Sequence, residues 1–131
     1  MTTQSAIDAI KERLETTPAP WPVLVFDGPP DDGAATPYIC IWDQTGQKMR
    51  EKYTGQAGRT YWPLQLSCVA RGRDGLRTLT SIARTVLDWA PISGATPLVE
   101  DGTNPVLTES VGGDERLTAP LTMHCYLPKE M

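Results

Sequence analysis

Between Tyr61 and Leu87 the hydrophobic period changes from two residues to three and four within one charged turn, and that change restricts what the chain can become. Trp62, Leu64, Leu66, Cys68 and Ala70 alternate with Gln65, Ser67 and Arg71, the pattern of a strand buried on one face. After Arg71-Gly72-Arg73-Asp74-Gly75, the residues Leu76, Leu79, Ile82, Ala83, Val86 and Leu87 share one helical stripe. Arg77, Thr80, Ser81, Arg84 and Asp88 then look outward, and Asp74 stands where an N-cap is expected. Each element has one apolar side to bury, so the pair demands a layered fold of helix on sheet.

The rest of the chain supplies matching pieces. Ile7, Ile10 and Leu14 are spaced for one face of a short helix that stops at Thr16-Thr17-Pro18, with Thr3 or Ser5 as its cap. Pro22 to Asp27 reads as a strand, and Gly28 to Pro37 as a turn-rich loop. Tyr38 to Asp43 is apolar on both faces, which suits a central strand. From about residue 44 to residue 60 the chain is polar, glycine-containing and basic, a loop or arm long enough to suspect a task for it. Pro97–Glu100 and Val106–Ser110 read as short strands around a turn at Asp101-Gly102-Thr103-Asn104. Leu117 to Leu127 alternates cleanly, and Pro120 within it predicts an edge or a bulge. The expectation is an α+β fold in the order α-β-β-β-α-β-β-β, with five to six mainly antiparallel strands and both helices on one sheet face.

The 131 residues are enough for one domain with its own core. No stretch approaches the about 20 apolar residues of a membrane span, and the opening Met-Thr-Thr-Gln-Ser-Ala lacks a signal-peptide pattern, so a soluble protein with no membrane partner is expected. Cys40, Cys68 and Cys125 each fall inside a strand pattern and are expected as reduced core thiols.

The net charge of −4 conceals a segmental asymmetry. Residues 1–44 balance to −5, residues 45–84 to +6, and residues 85–131 to −5. A basic nucleic-acid patch is one reading, although the acidic total gives no domain-wide positive field and no recognition motif accompanies it. Compensation within one folded monomer is another. A third is self-association, in which the basic part of one copy meets an acidic part of the next and the contacts close into a ring or continue as a filament.

Chemistry-bearing motifs are scarce. Gly55 to Thr60 has two residues between its glycines, arginine in place of lysine, and a following strand, which disqualifies it as a phosphate loop. His124 adjoins Cys125, but neighbours on a strand point to opposite faces and do not converge. Asp31-Asp32 lacks the ligand series of a calcium loop, and Glu100-Asp101 and Asp114-Glu115 border predicted turns. Trp42 and Trp62 fit a core; Trp21 and Trp89 stand at element ends, where a place at the core edge is expected and an interface anchor is the alternative. No catalytic, cofactor or metal constellation emerges.

The whole order resembles the tail terminator, or tail completion, proteins of long-tailed bacteriophages. The resemblance runs through Pro37–Trp42, the polar arm, Tyr61–Arg71, Asp74–Leu87 and Glu115–Tyr126. It implies a structural protein without enzymatic activity or cofactor, made in the host cytoplasm and located in the virion at the head-proximal end of the tail. Such proteins form a homo-hexameric ring that caps the tail tube, stops its polymerisation and offers a surface to the head-tail connector or neck protein. Under that resemblance the arm with Lys48, Arg50, Lys52 and Arg59 docks on the tail tube protein, and Arg71, Arg73, Arg77 and Arg84 supply subunit contacts. DNA would pass through the lumen without specific binding. Two alternatives stay open: another head-tail connector, and a small dimeric cytoplasmic enzyme or ligand-binding domain, which a pocket converging on His124, Tyr126 and a carboxylate would favour.

Overall fold

The computed structural model describes residues 3–18, 23–30, 36–43, 60–90, 96–103, 107–111 and 114–127. The elements are α1 (Thr3–Thr16), β1 (Leu24–Asp27), β2 (Tyr38–Asp43), β3 (Thr60–Ala70), α2 (Arg73–Leu87), β4 (Val99–Thr103), β5 (Leu107–Val111) and β6 (Asp114–Leu127). Their order is the one the periodicities predict. The strands form one sheet in the order β1-β2-β3-β6-β4, with β5 also pairing β6. β1 and β2 run parallel and the other pairs antiparallel, so the fold is α+β.

The middle of the sheet is the β3·β6 pair, in register from Thr60↔Leu127 to Ala70↔Leu117. Opposed residues share a face, so Trp62, Leu64, Leu66, Cys68 and Ala70 meet Cys125, Met123, Leu121, Ala119 and Leu117. All of them are buried. Ile39 and Ile41 widen that surface from β2, and Ile7, Ile10 and Leu14 of α1 close over it beside Leu76, Leu79, Ala83 and Leu87 of α2. Both helices therefore cover the same face.

Each strand of the central pair carries a proline, Pro63 opposite His124 and Pro120 opposite Ser67. Proline has no N–H to give, so both pairs must belong to the class that exchanges no hydrogen bond across the ladder. Their nitrogens then face the far sides of the two strands. Pro63 lies one position beyond the β2 register, which ends at Leu64. Ala119 and Pro120 span the step between β4, whose register ends at Leu121, and β5, whose register begins at Thr118. The expected edge or bulge at Pro120 is thus corrected: β6 is an interior strand, and its proline marks a change of neighbour.

Other expectations shift as well. Asp101, Gly102 and Thr103 belong to β4 rather than to a turn, with Asp101 as the extra residue of a bulge between Glu100 and Gly102. Asp114 and Glu115 open β6, in register with Val111 and Ser110. Ser5 lies inside α1, not at its cap.

Three measurements check this packing. Leu66→Ala, at a fully buried site, is expected to cost about 2–5 kcal/mol in urea unfolding. Gly75→Ala is expected to add about 0.5–1 kcal/mol, because it sits in the first turn of α2 and its new Cβ would meet Ala70 Cβ at an ordinary 3.7 Å. Burial pushes the Cys40 thiol up to about 11, and the Cys68 and Cys125 thiols up to about 12. The unfolded chain therefore loses these protons first, so stability should fall as pH rises above 9.0, and a thiol reagent at pH 8 should react only on unfolding.

Candidate functional site

Helix α2 presents the first candidate surface. Arg73, Arg77 and Arg84, four and seven residues apart, fall on one line along its flank. Arg73 is exposed, and Arg77 Nη1 lies 3.8 Å from Asp74 Oδ1 with both groups in solvent, a contact of little energetic weight. Arg84 Nε donates to Glu100 Oε1 at 2.7 Å and ties the helix to β4. Asp88 Oδ1 accepts the Glu100 backbone N–H at 3.4 Å, strengthening the same junction. Arg71 is exposed in the turn before the helix. The N-cap is Gly72, with no side-chain cap bond, and Gly72 O accepts the Leu76 N–H at 2.9 Å. Asp74, expected as the cap, instead lies in the first turn, where its charge suits the helix dipole.

Trp89 follows the helix and is its most unusual residue. The backbone reaches φ 62 there, a left-handed conformation that costs a bulky residue about 1–2 kcal/mol. Its N–H donates to Leu98 O at 2.6 Å, which fixes the chain as it turns toward β4. The indole is left 67% exposed. An apolar ring held outward on a strained backbone is a mark of binding surfaces. The sequence placed Trp89 at an element end but carried no glycine or asparagine to signal the left-handed turn.

The second candidate surface is the sheet face opposite the helices, which no described element covers. Tyr38, Cys40 and Val69 form a small buried cluster there with Phe26, whose ring meets Tyr38 edge-on at 5.7 Å. Arg116 donates to the Tyr38 hydroxyl at 3.3 Å. Trp42 is on this face and 40% exposed, correcting its expected core position: residue 42 alternates with the buried Ile41 and follows Cys40 by two. At the other end, the rings of Tyr61, His124 and Tyr126 stand 5.4–5.8 Å apart. Asp101 Oδ1 meets His124 Nδ1 at 2.5 Å, and the bulge in β4 is what brings this carboxylate to the ring. Burial first, then the charges of Asp101 and Tyr126, pushes the Tyr61 phenol above its ordinary value. Cys125 is buried on the helix side, as the strand period requires.

Sequence reasoning saw His124 and Tyr126 but missed Asp101, because the partner comes from a strand 23 residues away through a bulge. Lys48, Arg50, Lys52 and Arg59 lie outside the described residues, as do Trp21 and Asp31-Asp32. Among the described residues, no group of three or more His, Cys, Asp or Glu is placed to hold a metal ion, and no helix is long and apolar enough to cross a membrane.

No protein-family model and no curated protein matches the chain. Among solved structures, the chain is similar to one from the virion of a native gene transfer agent particle, at 14% identity and a TM-score of 0.55. The likeness covers 95% of this chain and 93% of the other, so the two share a fold through nearly their whole lengths.

Proposed function

We propose that this chain is a structural protein of a phage-like virion, and within that class a ring-forming terminator of the tail tube. The observation that carries the reading is the full-length fold likeness to a chain of the gene transfer agent virion. It joins the order and pattern of the elements, which resemble those of the tail terminators.

In this reading the protein is non-enzymatic and occupies the head-proximal end of the tail, with copies of itself, the tail tube protein and the neck protein as partners. A ring cap must have unlike upper and lower faces, so that one side stacks on the tube and the other does not nucleate another layer. Docking on the tube is assigned to the arm with Lys48, Arg50, Lys52 and Arg59, and DNA passes through the lumen without specific recognition. A head-tail connector protein shares the ring requirement and is separated from a terminator by whether it binds tube ends. A ligand-binding reading draws on one observation, the convergence of His124, Asp101 and the two tyrosines.

The deciding experiment mixes the purified protein with its tail tube protein and images the product. Six-membered rings on tube ends are expected. Arg50→Glu with Lys52→Glu is expected to weaken docking at least about tenfold while changing stability by less than about 0.5 kcal/mol, because surface charges contribute little to folding. Tubes capped normally by that variant would remove the arm from the docking role. Normal capping by His124→Ala would remove the ligand-binding cluster from the assembly function.

A further inference from the structure

The ends of β1, β2 and β6 and the start of β3 lie at one pole of the sheet, because Asp27 is in register with Ile41, Asp43 with Leu64 and Thr60 with Leu127. α2 runs back over β3 and delivers Trp89 to the same pole, where the Trp89 N–H meets Leu98 O at 2.6 Å and the Thr96 N–H meets Tyr126 O at 3.0 Å. Gln4 Nε2 donates to Asp27 Oδ2 at 3.4 Å, which brings the start of α1 there as well.

This pole is acidic. Asp8, Asp27, Asp88 and Asp101 are exposed and Asp43 is half-buried. Among the described residues, the helix cations that come nearest are Arg84, one turn before Asp88 and bridged to Glu100 Oε1 at 2.7 Å, and Lys11, about 12 Å along α1 from its start. Segment 44–59, which leaves at Asp43 and rejoins at Thr60, carries Lys48, Arg50, Lys52 and Arg59 against Glu51, a net +3, so the five aspartates outnumber it even when all of it is counted at this pole. The opposite pole mixes exposed Arg71 and Arg73 with exposed Asp74.

Aromatic rings gather at the acidic pole too. Trp89 is 67% exposed, and Trp42, next to Asp43, is 40% exposed. Tyr61 and Tyr126 are half-buried there, in register across the β3·β6 ladder with ring centroids 5.6 Å apart. The face of an indole or phenol ring attracts a cation through its quadrupole, and a carboxylate attracts it through full charge. One kind of group satisfies both, a lysine ammonium or an arginine guanidinium, whereas a phosphate backbone would be repelled. From β1 to β4 the sheet spans four strand spacings, about 19 Å, which is room for several such side chains at once.

We infer that this pole docks a cationic surface of a partner protein, with lysine and arginine side chains lying over the faces of Trp89 and Trp42 and pairing with Asp27, Asp88 and Asp101. The inference goes beyond the assembly reading above, which assigns tube docking to the arm, and it does not depend on that reading.

The test titrates a hexa-arginine peptide into the isotope-labelled full chain at low and physiological salt and follows backbone and indole N–H signals by magnetic resonance. The Trp89 and Trp42 indoles and the backbone signals of Asp88, Asp101 and Tyr126 are expected to shift along one saturation curve. Asp27→Asn/Asp88→Asn keeps the oxygens that accept from Gln4 Nε2 and from the Glu100 N–H, and it is expected to weaken binding at least about threefold, as is Trp89→Ala, with melting curves in place. Glu12→Gln/Glu15→Gln, which removes two exposed acids farther along α1, is expected to leave the affinity unchanged. Shifts spread over the whole surface, or equal weakening by the Glu12 and Glu15 variant, would reduce the effect to general attraction by an acidic chain and overturn the site. Tighter peptide binding by a chain carrying Lys48→Gln, Arg50→Gln, Lys52→Gln and Arg59→Gln would mean that the arm itself fills the pole, and would also overturn it. So would a single-stranded oligonucleotide that moves the same signals in preference to the peptide. Tube capping by the natural chain is scored separately, so the failure of either reading leaves the other standing.

Discussion

The β3·β6 ladder is the interaction on which the rest of the structure depends. It is the longest pairing in the sheet, from Thr60↔Leu127 to Ala70↔Leu117, and it lays down one continuous apolar surface from two alternating strands. α2 leaves β3 after only Arg71 and Gly72, so it has little choice but to fold back over the strand that precedes it. α1 then fills the remaining width over β1 and β2. Both described helices cover the same side, so the opposite face carries the small Tyr38–Cys40–Val69 cluster, Trp42 and the rings of Tyr61, His124 and Tyr126.

The prolines show how tightly that ladder is specified. Two residues that cannot donate a hydrogen bond sit in the strands that matter most, and both are accommodated because register places them in pairs that need no donor on that side. A slip of one residue would put both nitrogens into the ladder and turn the apolar set of each strand to the wrong face. The same register delivers Val99 opposite His124 and leaves the bulge before Gly102 to bring Asp101 to the imidazole. The aromatic cluster is thus a consequence of the sheet's register as much as of the residues in it.

Of the arginines that stood out in the sequence, Arg84 pairs with Glu100 and Arg77 lies beside Asp74, while Arg73 is exposed at the start of α2. Trp89 follows that helix and accepts a backbone conformation that glycine would hold at less cost.

Most of the architecture was legible in the chain because it depends on local period. The alternation of Trp62 to Ala70 and of Leu117 to Leu127, and the stripes of α1 and α2, each state which residues must be buried, and the structure buries them except Ile82 and Val86 of α2, which are half-buried. What only the tertiary structure decided depends on which strand lies next to which. Trp42 is exposed because its face of the sheet has no described cover, Asp101 reaches His124 because a bulge shifts β4, and Pro120 is interior because two short strands share one neighbour. Those are properties of pairing between distant segments, and hydrophobic periodicity carries no information about the partner.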